Sequence, residues 1–339
     1  MRLYAGIDLH ANSHYLGVID EENKVVFRQK MANDLRKTLS ILESFRGELE
    51  GVVVESTFNW YWLVDGLMDH GYQVHLANPS AIQQYEGLKH SDDERDAIWL
   101  ANLLRLGILP EGYIYPKQER SVRDLLRKRL QLVRHRTSHI LSIQNMVSRS
   151  LGIRMTSNEV KRLDEEKVAG LFKEEHLFLA VRSSVGVMRY LGDKVKQIEG
   201  VLKGRVKLRQ EFEKVLTLPG VGQILGLTIM LEVGDIGRFP GVGNYASYCR
   251  CVRSTRISNG KSKGEGNRKN GNKYLAWAYV EAAHFAIRDS SEVNRYYHRK
   301  AAGANRVVAI KAVSHKLARA SYYIMRDQVA YDPNKLFHY

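Results

Sequence analysis

Leu3-Tyr4-Ala5-Gly6-Ile7-Asp8 is the stretch on which the fold turns. It is a short apolar run closed by an acid, the pattern of a buried strand with a carboxylate at its exit. Val52-Val53-Val54-Glu55 repeats that design. A third acidic segment, Asp93-Glu94-Arg95-Asp96-Ala97, stands just before Ile98, Leu100, Leu103 and Leu104. Read as a helix, its spacing of three puts Asp93 and Asp96 on one face. An acid at the end of each of two strands, with two more on a facing helix, would hold a pair of divalent cations. Phosphodiester chemistry uses such cations to activate the attacking oxygen and stabilise the leaving one.

Working outward, residues 2 to 9, 15 to 20 and 24 to 29 read as three strands, the last two joined by the polar turn Asp20-Glu21-Glu22-Asn23. Asn33 is the predicted cap of a helix carrying Leu35, Leu39, Leu42 and Phe45. A fourth strand ends at Glu55, a Trp- and Leu-rich helix spans about Trp60 to His70, and a fifth strand covers Tyr72 to Ala77. The helix bearing Asp93 and Asp96 runs to about Leu106, where Gly107 and Pro110 stop it. Three strands, helix, strand, helix, strand, helix is the order of an RNase H-like α/β domain, whose metal-binding acids sit on the first strand, the fourth strand and a late helix. Acids at strand ends are individually common; their coincidence with those elements carries the reading. Asp92 and Glu94 are expected to face solvent. His10 and His14 have no Cys or His cluster around them and read as packing or phosphate contacts rather than zinc ligands.

The chain has 339 residues, enough for two or three domains with real cores. Its 52 Lys and Arg against 37 Asp and Glu leave a net charge of +15, which points to a polyanionic partner, nucleic acid before acidic membrane. No apolar run is long enough to span a membrane and no secretory leader is apparent, so no membrane association is expected. Cys249 and Cys251 alternate in a predicted strand and are too few for a disulfide framework; a reducing cytoplasm is the expected setting.

From Lys117 to about Arg149 the sequence becomes a long basic helix, nine Lys or Arg against Glu119 and Asp124. Val122, Leu126, Val133, Ile140, Ile143 and Val147 follow a heptad-like spacing, with Arg129 and Arg136 in two slots of the seam. A second helical stretch covers about Glu159 to Lys214, with breaks expected at Gly170 and Gly200. Leu218-Pro219-Gly220-Val221-Gly222 matches the hairpin of a helix-hairpin-helix module, in which Gly220 and Gly222 let backbone N–H groups approach a phosphate. Between Arg250 and Lys273 the segment holds Arg250, Arg253, Arg256, Lys261, Lys263, Arg268, Lys269 and Lys273 against Glu265 alone. That density favours contact with nucleic acid over mere solubility. Helices resume at Tyr274 to Ile287 and Val307 to Ile324.

Gly6-Ile7-Asp8, Val54-Glu55-Ser56-Thr57 and Ser91-Asp92-Asp93-Glu94-Arg95-Asp96-Ala97 resemble the DEDD domain of the IS-one-ten family of insertion-sequence transposases. Leu218-Pro219-Gly220-Val221-Gly222, Ile257-Ser258-Asn259-Gly260-Lys261 and Lys269-Asn270-Gly271-Asn272-Lys273-Tyr274-Leu275 resemble that family's C-terminal transposase domain. The resemblance implies a RuvC-like (RNase H-like) catalytic domain over 1–112, a helical coiled-coil arm over 113–213, and a mostly α C-terminal domain over 214–339 with a helix-hairpin-helix-like segment. It implies a DNA recombinase acting on donor and target DNA, guided by a structured bridge RNA and assembled as dimers and tetramers. The family acids fall on Asp8, Glu55, Asp93 and Asp96, expected to hold two Mg²⁺ ions. The family's serine, usually in a Ser-Gly pair, falls on Ser258; here Asn259 stands before Gly260, so Ser254 and Ser262 stay open as alternatives. Two other readings also remain: a junction-resolving RuvC-like endonuclease that uses water, and a nucleic-acid-binding scaffold without catalysis.

Overall fold

The computed structural model describes residues 1–82, 92–205, 210–252, 257–264 and 270–336, in two compact units, Met1–Lys117 and Gln118–Tyr339. The first unit runs β1 (Leu3–Leu9), β2 (Ser13–Asp20), β3 (Val25–Ala32), α1 (Leu35–Glu43), β4 (Leu49–Glu55), α2 (Tyr61–Asp69), β5 (Val74–Ala77) and α3 (Asp93–Arg105). Its five strands lie in the order β3-β2-β1-β4-β5; β1 is antiparallel to β2 and parallel to β4. Side chains alternate between the two faces of a strand. Leu3, Ala5, Ile7, Val52 and Val54 therefore enter one core with Leu42 of α1 and Leu63 and Leu67 of α2. On the opposite face Val53 meets Leu100 and Leu103 of α3.

That second face is where the sequence makes room. Gly6 and Gly17 are direct partners across β1 and β2. A Cβ on Gly6 would overlap the Ala97 carbonyl oxygen and come within 2.7 Å of the Ala101 nitrogen; one on Gly17 would lie 3.0 Å from Ile98 Cγ1. Helix α3 thus rests on bare sheet backbone, closer than any side chain would allow. The cap of α1 is Asp34, whose carboxylate accepts from the Arg36 and Lys37 N–H groups, and not Asn33. Asn33 is drawn away because its amide donates to the His10 and Ala11 carbonyls and its Oδ1 meets His14 Nδ1.

The second unit is helical. α4 (Lys117–Leu151) is followed by α5 (Ser157–Lys161), α6 (Glu165–Leu171), α7 (Glu175–Arg205), α8 (Gln210–Val215), α9 (Gln223–Val233) and α10 (Val242–Tyr248). A two-stranded ribbon of β6 (Ile257–Ser258) and β7 (Lys261–Ser262) precedes α11 (Lys273–Asp289), α12 (Ser291–Gly303), α13 (Arg306–Asp327) and α14 (Pro333–Leu336). Ile140, Ile143 and Val147 of α4 pack on Val181, Val185 and Met188 of α7. The arginines of the α4 seam are accommodated differently: Arg129 Nε donates to Glu199 Oε1 at 2.8 Å, while the buried Arg136 Nε finds no partner among the described residues. Of the two expected glycine breaks, the one at Gly170 falls at the end of α6, which stops at Leu171, whereas α7 runs through Gly200 without interruption. The strand expected at Cys249 and Cys251 is also absent. Tyr245 and Cys249 are four apart and both buried, the spacing of a helical stripe, and Cys249 caps the end of α10.

The turn at Gly220 serves packing. Its φ is +76°, and a Cβ there would overlap the Ala282 carbonyl oxygen and sit 2.6 Å from the Ala286 nitrogen of α11. Gly222, with open space around it, is the N-cap of α9. The core behind it joins α9, α10, α11 and α13, with the hydroxyls of Tyr245, Tyr279 and Ser321 hydrogen-bonded in its centre. Among the described residues no helix is long and apolar enough to cross a membrane.

Candidate active site

Strand register assembles the acidic site. β1 and β4 run parallel with Ile7 opposite Val54, so the next residues, Asp8 and Glu55, leave the sheet side by side on the α3 face. Asp8 is almost fully buried and Glu55 half-buried. Their carboxyls share a hydrogen bond, and burial first, then that bond and the charges of Asp8 and Asp96, push Glu55 up to about 8. Two carboxyls crowded in this way disfavour carrying two negative charges at once.

Helix α3 supplies the other acids. Asp92 caps it, accepting from the Arg95 N–H at 2.8 Å, and Asp93, Glu94 and Asp96 occupy its first turn, where the helix dipole favours negative charge. Burial and the neighbouring Asp8 raise the Asp96 carboxyl above its ordinary value. Asp93 behaves in the opposite sense: hydrogen bonds from Lys30 and His10 hold it low. Lys30 Nζ lies 2.6 Å from Asp93 Oδ2. His10 Nε2 stands between two carboxylates, 3.1 Å from Asp8 Oδ2 and 3.0 Å from Asp93 Oδ1. Glu94 pairs with Arg28 rather than facing solvent, while Asp92 is exposed but engaged as the cap.

Asp8 is the hub of this arrangement. Ligand atoms of Asp8, His10 and Asp93 all lie within 4.8 Å of one another, while Glu55 and Asp96 reach the cluster through Asp8. Two carboxylates and an imidazole gathered this closely are a donor set that could hold a divalent cation.

Residues that the sequence reading undervalued also belong here. His10 is held by its backbone, since its carbonyl accepts from Asn33 Nδ2 and Asn59 Nδ2, each at 3.0 Å. Lys30 follows from register: Asp8 pairs with Tyr15 and Tyr15 with Lys30, one cross-strand row on the α3 face. Period-two alternation contains that row, but only once the strands are aligned. His14 is structural, buried between Asn33 and Thr38.

In the second unit, Ser258 is exposed at the end of β6. Asn259 and Gly260, at φ of 51° and 70°, form the turn to β7; two successive positive φ values are the signature of a type I′ hairpin. Asn259 therefore puts Ser258 at the tip of a defined ribbon. Lys261 and Lys263 flank it and are exposed. Arg250 anchors the base of the segment, its guanidinium donating to the Asn270 and Gly271 carbonyls. Lys273 opens α11 with its ammonium over the Tyr274 ring. Arg253, Ser254, Arg256, Arg268 and Lys269 lie outside the described residues, as does the side chain of Ser262.

Two family models match the chain. The DEDD transposase model of IS110 elements covers residues 5–150, and the model described as transposase of the IS116/IS110/IS902 family covers residues 213–298. Among curated proteins, the transposase for insertion sequence element IS1111A of Coxiella burnetii is 24% identical over 296 residues, 84% of this chain and 77% of that protein. The transposase for IS1328 of Yersinia enterocolitica is 22% identical over 340 residues, 94% of this chain and 95% of that one. The first match holds every acid of the cluster around Asp8, and the second holds the ribbon bearing Ser258. With both halves matched in their proper order, the chain belongs to the IS110 family of insertion-sequence transposases, enzymes that act on DNA.

Proposed function

We propose that the chain is an Mg²⁺-dependent recombinase with an RNase H-like catalytic unit, in which Asp8, Glu55, Asp93 and Asp96 hold the metal and Ser258 is the nucleophile. The observation that carries this reading is the placement of Asp8 against Glu55, with the first turn of α3 laid over them. The β-strand order with α3 across one face supports the RNase H-like assignment. When bound, the ions polarise the scissile phosphate and stabilise the charge on the departing oxygen.

The chain's own residues account for the rest. Asp8 would hold the ion from a buried strand end, and Glu55, raised by its neighbours, would have to be deprotonated to join it. Ser258 Oγ loses its proton, attacks phosphorus and forms a phosphoserine diester while the P–O bond to the departing strand breaks, that oxygen taking up a proton. Attack by the incoming strand's hydroxyl then reverses the step and frees the serine. Exposed Lys261 and Lys263 stand where they would steady the phosphates on either side of the ribbon. Donor and target DNA are the substrates, a structured bridge RNA is the guide, and the working assembly is a dimer or tetramer.

Asp96→Ala and Ser258→Ala, made separately and assayed for strand exchange on element-end DNA, test this. Both should abolish exchange, and a covalent protein–DNA adduct should be trapped with the parent and with neither variant. Exchange that survives in both variants refutes the reading. Cleavage that survives in Ser258→Ala without a covalent adduct points instead to water as the nucleophile.

A further inference from the structure

A cavity of about 780 Å³ opens beside α13 and the segment leading to α14, remote in sequence from both the acids and the Ser258 ribbon. Its lining is cationic, with Lys316 and Arg319 on α13 and Lys335 on α14, and His315 beside them. Three tyrosines, Tyr296, Tyr323 and Tyr331, line the same cavity. Tyr323 is exposed, and Ile324, Val329 and Leu336 add apolar surface to the lining.

The positive potential is concentrated there. Lys300, Arg299 and Lys316 all approach the Tyr296 ring, at 5.8, 5.8 and 5.1 Å from its centroid. Lys316 is held below its ordinary value by burial and then by Arg299, Arg319 and Lys300; His315 is held low by burial and then by Arg319 and Lys316. The two acids in the lining are already engaged. Asp327 is gripped by Arg326 at 2.6 and 3.0 Å, and Asp332 accepts the Asn334 N–H at 2.9 Å. The pocket's mouth is tied in place, since the Tyr331 N–H donates to Thr217 Oγ1 at 2.8 Å.

Cations beside an exposed tyrosine, with apolar side chains in the same lining, match one kind of occupant. Phosphate neutralises the cations, a base stacks on a tyrosine ring, and the volume falls within the usual range for a pocket holding a small organic group. We infer that this cavity receives an unpaired nucleotide of a single nucleic-acid strand, with its phosphate at Lys316, Arg319 and Lys335 and its base against Tyr323 or Tyr331. The inference deepens the transposase reading, adding a strand-holding site separate from both catalytic segments.

The test uses the full chain with short fluorescein-labelled oligothymidylate and oligouridylate, measured by anisotropy across a range of salt. Arg319 and Tyr323 are exposed, so Arg319→Glu and Tyr323→Ala leave the core untouched. Each should weaken binding of the preferred strand about tenfold, and Arg319→Glu should also lower the salt slope by roughly 0.7 to 1. A strand carrying a photoreactive thio-base should cross-link within the 315–331 segment. Whichever labelled strand binds more tightly identifies the source as DNA or RNA. If the parent binds and both variants match it, this inference fails while the transposase reading stands. If the parent binds neither strand nor duplex DNA, the transposase reading falls with it.

Discussion

Cation binding at the acidic site should release a proton, and Glu55 is the group that supplies it. Its carboxyl lies at about 8, against an ordinary 4.5, because it is buried and shares a hydrogen bond with Asp8. At pH 7 a group of that pKa is about nine-tenths protonated, so the protein binds a divalent ion only after losing close to one proton. Apparent affinity should therefore climb with pH, by about fiftyfold between pH 6 and 8, and flatten above 8. The same shift fixes the sign for the metal-free fold. A folded pKa above the unfolded one favours the fold fully below 4.5, and that advantage is lost as the pH rises towards 8. Titration with Mn²⁺ as a spectroscopic stand-in, repeated by calorimetry in two buffers of different ionisation enthalpy, reads both the slope and the proton count. Glu55→Gln should bind more weakly and lose most of the slope; the residual dependence belongs to Asp96, also raised. A parent protein whose affinity is flat from pH 6 to 8, with no proton released, would refute the argument.

Gly6→Ala should cost more than 2 kcal/mol, roughly the upper range for overpacking, because the added methyl meets α3 backbone rather than a flexible side chain. It should also abolish Mn²⁺ binding though no acid has changed; denaturant unfolding and the same titration check both. Gly220→Ala combines a positive φ with a backbone clash on α11 and should destabilise by about 3 kcal/mol, read by the unfolding midpoint. Glu232→Gln should destabilise by about 2 kcal/mol, since it leaves Arg127 and Asn272 with a poorer partner at a buried site. Tyr279→Phe removes the hydroxyl bonded to Tyr245 and Ser321 and should cost about 1 kcal/mol while DNA binding is unchanged, as gel shift would show.

The α/β order of the first unit was legible because each strand and helix there carries its own period and its own stop signal. Gly107, for instance, ends α3 with a φ of +67°. What could not be read was closeness. Gly6 and Gly17 look like permissive residues in isolation, and only the pairing of β1 with β2 makes them a joint clearance for α3. Lys30 and His10 were obscured in the same way, because cross-strand rows depend on register and register is a tertiary property. The errors in the helical unit have a different source. Gly200 reads as a break from propensity alone, yet the long α7, packed against α4, tolerates a glycine whose cost is about 1 kcal/mol. Cys249 and Cys251 were read from alternation over too short a window, where a helical stripe and a strand look alike.

The ribbon bearing Ser258 raises a physical question: how a polar, strongly cationic segment is held on a rigid core. Its base answers it. The Asn272 N–H donates to the Tyr248 carbonyl at 2.6 Å, bringing the two ends of the segment together, and Arg250 donates across the same gap to Gly271. Asn272 also caps α11 through its Oδ1 and gives its Nδ2 to Glu232, at 2.7 Å. Glu232 in turn grips Arg127 of α4 with both oxygens, at 2.6 and 2.7 Å, and Arg127 lies 4.6 Å over the Tyr274 ring. A single buried carboxylate thus ties the long arm helix to the base of the segment. Gly271, at a φ of +88° and close against the Tyr248 and Ser247 carbonyls, is what lets the stem close so tightly. Restraint sits at the base of the segment and exposure at Ser258, the distribution that the proposed role of that serine would require.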